Sequence, residues 1–311
     1  MQKIGLVFSG GGGKGAYEIG AWRAMEELGL AKDIIAVSGT SVGALNAALF
    51  AQGDLHKAER AWLSMAPSDI LSIDLKGLLL KIISIGITPT RSITSIITTL
   101  ATYGVFKRDG LARIIDNYLD VEVLKLKKLP SFACATQIKT LNANYFQLQD
   151  FKTDYIKDIL LASSAIPIAF PTQKIEEDVY LDGFLTDNTP IQPLAAMGCD
   201  IIITIMLSRS DLLPIEKYPN SKIIPIYPQE CPGWSLDFNG ISKKMQHGYD
   251  DTMKVLAPVF ELMETNYQYS KALLDYKAQH QKFNQLMLDN NNLDREINTT
   301  KKELLKVINR W

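Results

Sequence analysis

The first fifty residues alternate short apolar runs with longer helical patterns. The apolar run 3–8 predicts a strand, and residues 16–28 carry apolar side chains at helical spacing. A second apolar run, 34–37, leads into a helical pattern that continues to about residue 51. This strand–helix–strand–helix order predicts an α/β fold with parallel strands joined by right-handed crossovers. Ligands of such sheets bind at the carboxyl ends of the strands, where two glycine-rich turns of this chain fall.

Residues 54–128 interrupt this alternation with mainly helical patterns. Within them, the stretch 70–106 is unusually apolar and contains few charges. Such a stretch favours a cap that buries its apolar face on the core. A second interpretation, also open, is a mobile lid or membrane-docking segment that lines a site for acyl chains.

After Pro130 the strand pattern returns, and the tail is helical. The predicted strands are 131–138, 144–148, 179–181, 201–206 and 222–227, and the predicted helices are 154–163 and 190–197. The first two of these strands are predicted to pair as a hairpin. From about residue 242 the periodicity is helical, with a break at 289–292. The tail is either a helical hairpin packed on the body or a surface for dimerisation or another partner.

Composition narrows the class of protein. The chain has 311 residues and a formal net charge of −1, which argues against nucleic-acid binding through bulk charge. Its cysteines, Cys134, Cys199 and Cys231, lie far apart without a Cys-x-x-Cys spacing. This argues against a disulfide framework or a zinc site and favours a reducing compartment. No secretory signal and no apolar run of about 18 residues is visible, so we expect a cytoplasmic protein, soluble or bound peripherally to a membrane.

Gly39, Ser41 and Gly43 form a Gly-x-Ser-x-Gly pattern between the second predicted strand and its helix. A serine on a sharp strand-to-helix turn exposes its hydroxyl, and glycine on either side leaves room for the turn. The helix that follows points free N–H groups and a partial positive charge toward the serine. The pattern indicates a nucleophile elbow, although a small-residue turn that packs a helix on a sheet has the same spacing.

A glycine loop, residues 10–15, follows the first predicted strand and matches three kinds of site. A dinucleotide site would want an acidic residue at the end of the second strand, where this chain has the turn of Ser41. A phosphate-binding P-loop would want serine or threonine after Lys14, and Gly15 is there instead. An oxyanion hole needs inward N–H groups and positive potential, which consecutive glycines and a helix N-terminus supply. Only the oxyanion-hole interpretation explains why the glycine loop and the elbow of Ser41 lie on adjacent crossovers of one sheet.

A nucleophilic serine needs a base, and the chain has two kinds of candidate. The histidines are His56, His247 and His280, in surroundings typical of solvated or packing side chains. A relay in the order Ser-Asp-His would recruit His247 or His280. The other candidate is Asp182, at the end of a short predicted strand. Burial beside the serine would raise the pKa of this carboxylate, and proximity would favour the proton transfer.

Taken together, these motifs are similar to those of the patatin-like phospholipase family. The matching segments are the glycine loop 10–15, the elbow 39–43, the pair Asp182 and Gly183, and the flanking segments 162–167 and 187–190. They follow one another in the order and spacing of that family, between about residues 3 and 205. Phe184 stands where the family usually has a small residue, which bears on how open the aspartate's side of the cleft is.

The resemblance implies a three-layer α/β/α fold with a mainly parallel central sheet and a helical extension at its C-terminus. The hydrolase domain would span residues 1–230, with 54–128 inserted as a helical cap and 231–311 as the extension. The implied activity is that of a phospholipase A or lysophospholipase acting on a phospholipid or other lipid ester. Peripheral membrane contact and a homo-oligomer through the C-terminal helices are further expectations, and no cofactor, metal or nucleic acid is expected.

In this resemblance Ser41 is the nucleophile and Asp182 the base of a catalytic dyad. The residues assigned to the oxyanion hole are Gly10, Gly11, Gly12 and Lys14, and the motif glycines are Gly13, Gly15, Gly39, Gly43 and Gly183. Two alternatives stay open. One is a Ser-Asp-His hydrolase that uses His247, and the other is a catalytically inactive lipid-binding or signalling module on the same fold.

Overall fold

The computed structural model describes residues 2–65, 109–167, 169–233 and 237–278, with side chains in the last range as far as residue 259. Residues 1–255 form one compact unit and residues 256–311 a second. The predictions for the apolar stretch 70–106, for the break at 289–292 and for His280 fall outside the described residues. The domain division at residue 230 stays a prediction.

The described residues form both strands and helices. The strands are β1 (Ile4–Phe8), β2 (Ile34–Thr40), β3 (Ser131–Gln137), β4 (Asn142–Gln147), β5 (Gln173–Ile175), β6 (Asp178–Asp182), β7 (Ile201–Ile205) and β8 (Lys222–Ile226). The helices are α1 (Ala16–Glu27), α2 (Val42–Gln52), α3 (Leu55–Leu63), α4 (Asp109–Tyr118), α5 (Val121–Lys127), α6 (Thr153–Ser163), α7 (Gln192–Ala196) and α8 (Ile241–Ala278). The predicted strands and helices in these ranges are confirmed to within a few residues. The short strand β5 was not predicted, because three residues are too few to show an alternating pattern.

The strands form one mixed sheet in the order β5-β6-β3-β2-β1-β7-β8, with β4 also paired to β3. The run from β3 through β2 and β1 to β7 and β8 is parallel throughout. Strands β4, β5 and β6 add antiparallel pairs at the other end, and β3 and β4 form the predicted hairpin. The expectation of a mainly parallel central sheet is therefore confirmed.

Strand β3 brings the ends of two distant strands together. Strand β4 pairs with one edge of β3 over residues 132–137, so β2 and β6 share the other edge. Strand β2 runs parallel to β3 and ends with Thr40 opposite Cys134. Strand β6 runs in the opposite direction and ends with Asp182 opposite Ala135. The carboxyl ends of β2 and β6 thus meet head-on beside two consecutive residues of β3.

Helices cover both faces of the sheet, as the side chains of β1 show. Phe8 points to one face and packs against Phe50 of α2, with ring centroids 5.9 Å apart. The preceding residue, Val7, points to the opposite face and joins a buried cluster with Ile191 and Leu194, which lie at and in α7. Successive side chains of a strand alternate between faces, so both faces must be covered to bury this apolar strand. The three-layer α/β/α arrangement is confirmed.

Candidate active site

Ser41 lies in the turn between β2 and α2 and has a strained backbone. Its φ of 59° falls in the left-handed region, and the residue is only 4% exposed. The flanking glycines make this turn sterically feasible. A Cβ on Gly39 would collide with the carbonyl of Gly43, and a Cβ on Gly43 would collide with the carbonyl of Phe8. A non-glycine residue held at positive φ at a helix start is typical of a functional turn.

A second serine holds the turn of Ser41 in place. The N–H of Ser41 donates to Oγ of Ser163 at 2.9 Å, and this Oγ donates to the carbonyl of Cys134 at 2.6 Å. Ser163 is fully buried at the end of α6. Its hydroxyl therefore ties α6 to both the elbow and the edge of β3. The sequence placed Ser163 in a segment that resembles the family, but nothing in the local pattern predicted this bridging role.

We expect Ser163→Ala to destabilise the protein by about 1–3 kcal/mol, because the buried N–H of Ser41 would lose its acceptor. The midpoint of urea unfolding should fall, with an unchanged slope against urea concentration. Ser64→Ala is the matched control: its exposed hydroxyl at the end of α3 donates only to the carbonyl of Ala61, so the midpoint should stay in place. Equal midpoints for the two variants would show that the hydroxyl of Ser163 does not support the turn.

Asp182 is held from several sides and is completely buried. Its Oδ1 accepts a hydrogen bond from the N–H of Phe184 at 2.9 Å. Its own N–H donates to the carbonyl of Ala165 at 2.9 Å, and its carbonyl accepts from Oγ1 of Thr136 at 2.8 Å. Its Oδ2 has no hydrogen-bond partner among the described residues. One carboxylate oxygen is thus fixed, and the other is left free.

The surroundings of Asp182 shift its acidity toward neutrality. Burial raises the pKa of the carboxyl from 3.8 to about 7, opposed by the N–H of Phe184 and the hydroxyl of Ser41. The Ser41 hydroxyl is therefore close enough to stabilise the charged carboxylate, although no hydrogen bond within 3.5 Å reaches Oδ2. Catalytic hydrogen bonds are often long before substrate binds and shorten when it does. A carboxylate with this pKa can accept a proton at physiological pH.

The glycine loop supplies two N–H groups in the cavity of Ser41 that have no partner among the described residues. The N–H of Gly10 donates to the carbonyl of Asn188 at 3.0 Å, so this N–H is not free to bind an oxyanion, contrary to the expectation for Gly10. The amide of Asn188 in turn donates to the carbonyl of Gly10 at 3.2 Å. In the described part of the chain, the N–H groups of Gly11 and Gly12 donate no hydrogen bond. Gly10 therefore anchors the loop, and Gly11 and Gly12 are its candidate donors.

These groups open into one cavity of about 320 Å³. Its lining residues are Gly10, Gly11, Gly12, Lys14, Ser41, Ile166, Asp182, Phe184, Asn188, Leu207, Ser208 and Asp211. The structure thus brings together the residues predicted to be catalytic and those predicted for the oxyanion hole. The motif glycines at 13, 15, 39, 43 and 183 lie outside the lining and instead allow close packing around it. Phe184 lines the cavity with 45% of its surface exposed, so it narrows that side without closing it.

A second, smaller cavity of about 30 Å³ adjoins the first and is almost wholly apolar. Both cavities are lined by Gly12, Ser41 and Ile166. The additional side chains of the smaller cavity include Leu45 and Phe170. Ser41 therefore stands where a cavity of mixed polar and apolar lining meets an almost wholly apolar recess. Ile166, Leu207, Ser208 and Asp211 were not predicted as lining residues, because they come from loops that only the fold brings to this point.

Neither described histidine reaches this cavity. The side chain of His56 on α3 is 85% exposed, with its Nδ1 3.5 Å from Glu59. His247 on α8 lies with Nε2 3.7 Å from the carboxylate of Glu230. Neither lines the cavity that contains Ser41.

Three further observations concern metal binding, disulfide bonds and membrane-spanning helices. Within the described ranges no cluster of three or more histidine, cysteine, aspartate or glutamate side chains is placed to hold a metal ion. Cys134, Cys199 and Cys231 are unpaired. None of the helices that can be described combines the length and the apolar character needed to cross a bilayer.

Comparison with known proteins identifies the family of the chain. A sequence profile described as "Patatin-like phospholipase" matches residues 6–195. Lysophospholipase NTE1 of Cryptococcus neoformans is 28% identical over 239 residues, and rat patatin-like phospholipase domain-containing protein 7 is 26% identical over 215 residues. The matches cover 76% and 69% of this chain but only 13% and 14% of those proteins. The chain therefore corresponds to a small part of these much longer relatives.

A solved structure supports the fold alone. The crystal structure of VipD from Legionella pneumophila superposes with a TM-score of 0.54 at 15% sequence identity. The match covers 83% of this chain and 67% of that chain.

Proposed function

Because the chain belongs to the patatin-like phospholipase family, we propose that it is a serine hydrolase that cleaves acyl esters of lipids with Ser41 and Asp182. The observation that carries the proposal is the unpartnered Oδ2 of buried Asp182, which shares a cavity with the strained Ser41. A buried carboxylate oxygen without a donor is costly, and such groups are retained where they have a task. Accepting the proton of the Ser41 hydroxyl is a task that this geometry suits.

The first half-reaction would form an acyl-enzyme. Oγ of Ser41 attacks the ester carbonyl carbon while Asp182 takes the hydroxyl proton. The carbonyl oxygen becomes an oxyanion, which the N–H groups of Gly11 and Gly12 stabilise. The ester C–O bond then breaks, and protonated Asp182 returns the proton to the leaving alcohol.

The second half-reaction would restore the enzyme. Water donates a proton to Asp182 and attacks the acyl carbonyl, and the same N–H groups hold the second oxyanion. Collapse of this intermediate breaks the bond to Oγ of Ser41, which recovers the proton from Asp182. The products are a fatty acid and the regenerated serine. Neither half-reaction needs an imidazole or a metal ion.

The helix and the charge around Ser41 favour this chemistry. Ser41 is the N-cap of α2, whose eleven residues are all buried, so the positive end of the helix dipole points at the reacting atoms in a poorly screened environment. Lys14, which lines the same cavity, adds a positive charge. An anionic tetrahedral intermediate gains more from these charges than the neutral ester does, so they lower the barrier.

For the substrate class, we propose a lysophospholipid or phospholipid. Related proteins carry the name lysophospholipase. The larger cavity, with polar and charged groups in its lining, suits a head group on one side of Ser41, and the apolar recess suits the start of an acyl chain on the other. Peripheral contact with a membrane would deliver such a substrate. The oligomer through the C-terminal helices stays a prediction.

The proposal is tested by labelling with a fluorophosphonate, whose phosphorus is attacked by an activated serine with loss of fluoride. We expect a single adduct on Ser41, located by peptide mass spectrometry. Its rate should rise about tenfold per pH unit below about pH 7 and level off above, because Asp182 must be ionised to act as base. Heat-denatured protein is the control and should stay unlabelled. Native protein that also stays unlabelled would favour an inactive lipid-binding module.

A further inference from the structure

The first turns of α8 pack directly on the back of the glycine loop. Nζ of Lys244 donates a hydrogen bond to the carbonyl of Gly13 at 3.2 Å and another to the carbonyl of Asp237. The side chain of Lys244 is only 8% exposed, so this cation is buried against the loop. Further along α8, Asp251 accepts a hydrogen bond from the hydroxyl of Tyr17 on α1 at 3.1 Å. Asp237, Lys244 and Asp251 lie outside the range 6–195 that matches the family.

The segment before α8 also lies close to the loop. A Cβ on Gly13 would collide with the carbonyl of Asp237, so the two backbones are in direct contact. The carboxylate of Asp237 is 3.7 Å from Nζ of Lys244 and partly balances its charge. Lys244, which belongs to α8, therefore contacts both the glycine loop and the segment before α8.

The contact with Gly13 determines the direction of the loop's peptide groups. A peptide is planar, with its C=O and N–H pointing in opposite directions. Lys244 holds the carbonyl of Gly13, and the N–H of the same peptide, which belongs to Lys14, donates to the carbonyl of Gly11 at 3.3 Å. The tight turn over residues 11–14 is thereby closed from both sides. The carbonyl of Gly11 belongs to the same peptide as the N–H of Gly12, so this turn also directs the N–H of Gly12, which donates no hydrogen bond to any described residue.

We propose that Lys244 is a positioning residue for ester hydrolysis: it holds the carbonyl of Gly13, and with it the turn in which the N–H of Gly12 faces the substrate oxygen. This inference rests on the proposed function, since it concerns the same site. Lys244 does not line the cavity and acts through the loop. Burial, and to a smaller extent the charge of Lys14, lowers the pKa of Lys244, as expected for an ammonium group packed behind an electropositive loop.

The test compares Lys244→Met with Lys243→Met, its exposed neighbour on the same helix. Methionine keeps the length and apolar stem of lysine but removes the donors. We expect fluorophosphonate labelling of Ser41 to slow by about 10–100-fold in Lys244→Met, because a displaced oxyanion hole costs rate steeply. Lys243→Met should react like the native protein. Lys244→Arg keeps a cation and donors and should recover most of the rate.

Three readouts separate positioning from a general loss of structure. The labelling endpoint counts intact sites, so a positioning role lowers the rate per site and leaves the endpoint unchanged. KM for a lysophospholipid should change little while kcat falls. The pH midpoint near 7 should stay, since Lys244 is not among the groups that shift the pKa of Asp182. If Lys244→Met does not fold, Lys244→Leu, which also lacks a donor and has a smaller side chain, gives the same comparison.

The outcomes are distinct for the two proposals. A native rate per site in Lys244→Met or Lys244→Leu overturns the role of Lys244 and leaves the proposed hydrolase standing. An equal slowing in Lys243→Met also overturns it, because the effect would not come from the contact with Gly13. Native protein that is not labelled at Ser41 overturns the proposed function and the role of Lys244 with it.

Discussion

Replacing Ser41 with alanine is expected to lower the rate of lysophospholipid hydrolysis by about 10⁴-fold or more, because the nucleophile is removed and the acyl-enzyme cannot form. Alanine can occupy the same strained backbone position at the same φ, since both residues carry a Cβ. The N–H of residue 41 keeps its bond to Ser163. The variant should therefore fold, and its loss of hydrolytic activity should come from the missing hydroxyl alone.

The measurement is fatty acid released from lysophospholipid micelles, quantified by mass spectrometry, beside the thermal midpoint of each protein. Ser64→Ala is the matched control, because it removes a hydroxyl from an exposed position at the end of α3. The control should hydrolyse at the native rate. Native hydrolysis by a folded Ser41→Ala protein would assign the nucleophile to another residue.

Asp182→Asn is expected to lower hydrolysis by about 10³-fold or more and to slow fluorophosphonate labelling in parallel. Asparagine is nearly isosteric and can keep the hydrogen bond from Phe184 through its carbonyl oxygen, but it cannot accept the proton of Ser41. The rise in rate through about pH 7 should also disappear, because the titrating group is gone.

The stability of Asp182→Asn separates a lost base from a damaged fold. Since folding raises the pKa of Asp182 from 3.8 to about 7, the folded state holds this proton more tightly than the unfolded chain. The bound proton therefore stabilises the folded state by about 4 kcal/mol. This contribution to the free energy of unfolding is lost as pH rises from about 4 to about 7. Asparagine does not titrate, so the variant should gain stability relative to the native protein over this range, as urea unfolding at about pH 4 and pH 8 would show.

Two further variants make the assignment of the base specific. Asp178→Asn, at the other end of β6, changes the same residue type away from the cavity and should leave hydrolysis unchanged. His247→Gln should also hydrolyse at the native rate, because His247 does not line the cavity. Activity lost in a folded His247→Gln protein would replace the dyad with a Ser-Asp-His relay.

Much of the fold could be predicted from the sequence because its signals are local. The alternation of apolar runs and helical spacing located β1, α1, β2 and α2, since periods of 2 and 3.6 residues are set by the backbone itself. The glycines around Ser41 indicated a tight turn for an equally local reason, because neighbouring carbonyls leave no room for a Cβ. Residues with such signatures can be recognised without knowing what surrounds them.

The contacts of the site could not be predicted in this way. The bridge from Ser163 to Ser41, the bond that occupies the N–H of Gly10, and the clamp of Lys244 on Gly13 join residues far apart in the chain. Each depends on which loops pack together, and hydroxyl, amide and ammonium groups occur in many positions with no such role. No periodicity of the sequence marks these particular ones.

By itself, then, the sequence determined the order of strands and helices, the tight turn at Ser41 and the glycine loop, because backbone sterics act over a few residues. Only the tertiary structure decided that Asp182 meets Ser41. That meeting depends on β2 and β6 sharing one edge of β3 from opposite directions, with their ends opposite Cys134 and Ala135. Strand register is set by long-range packing, which also buries Asp182 and so raises the pKa of its carboxyl to about 7.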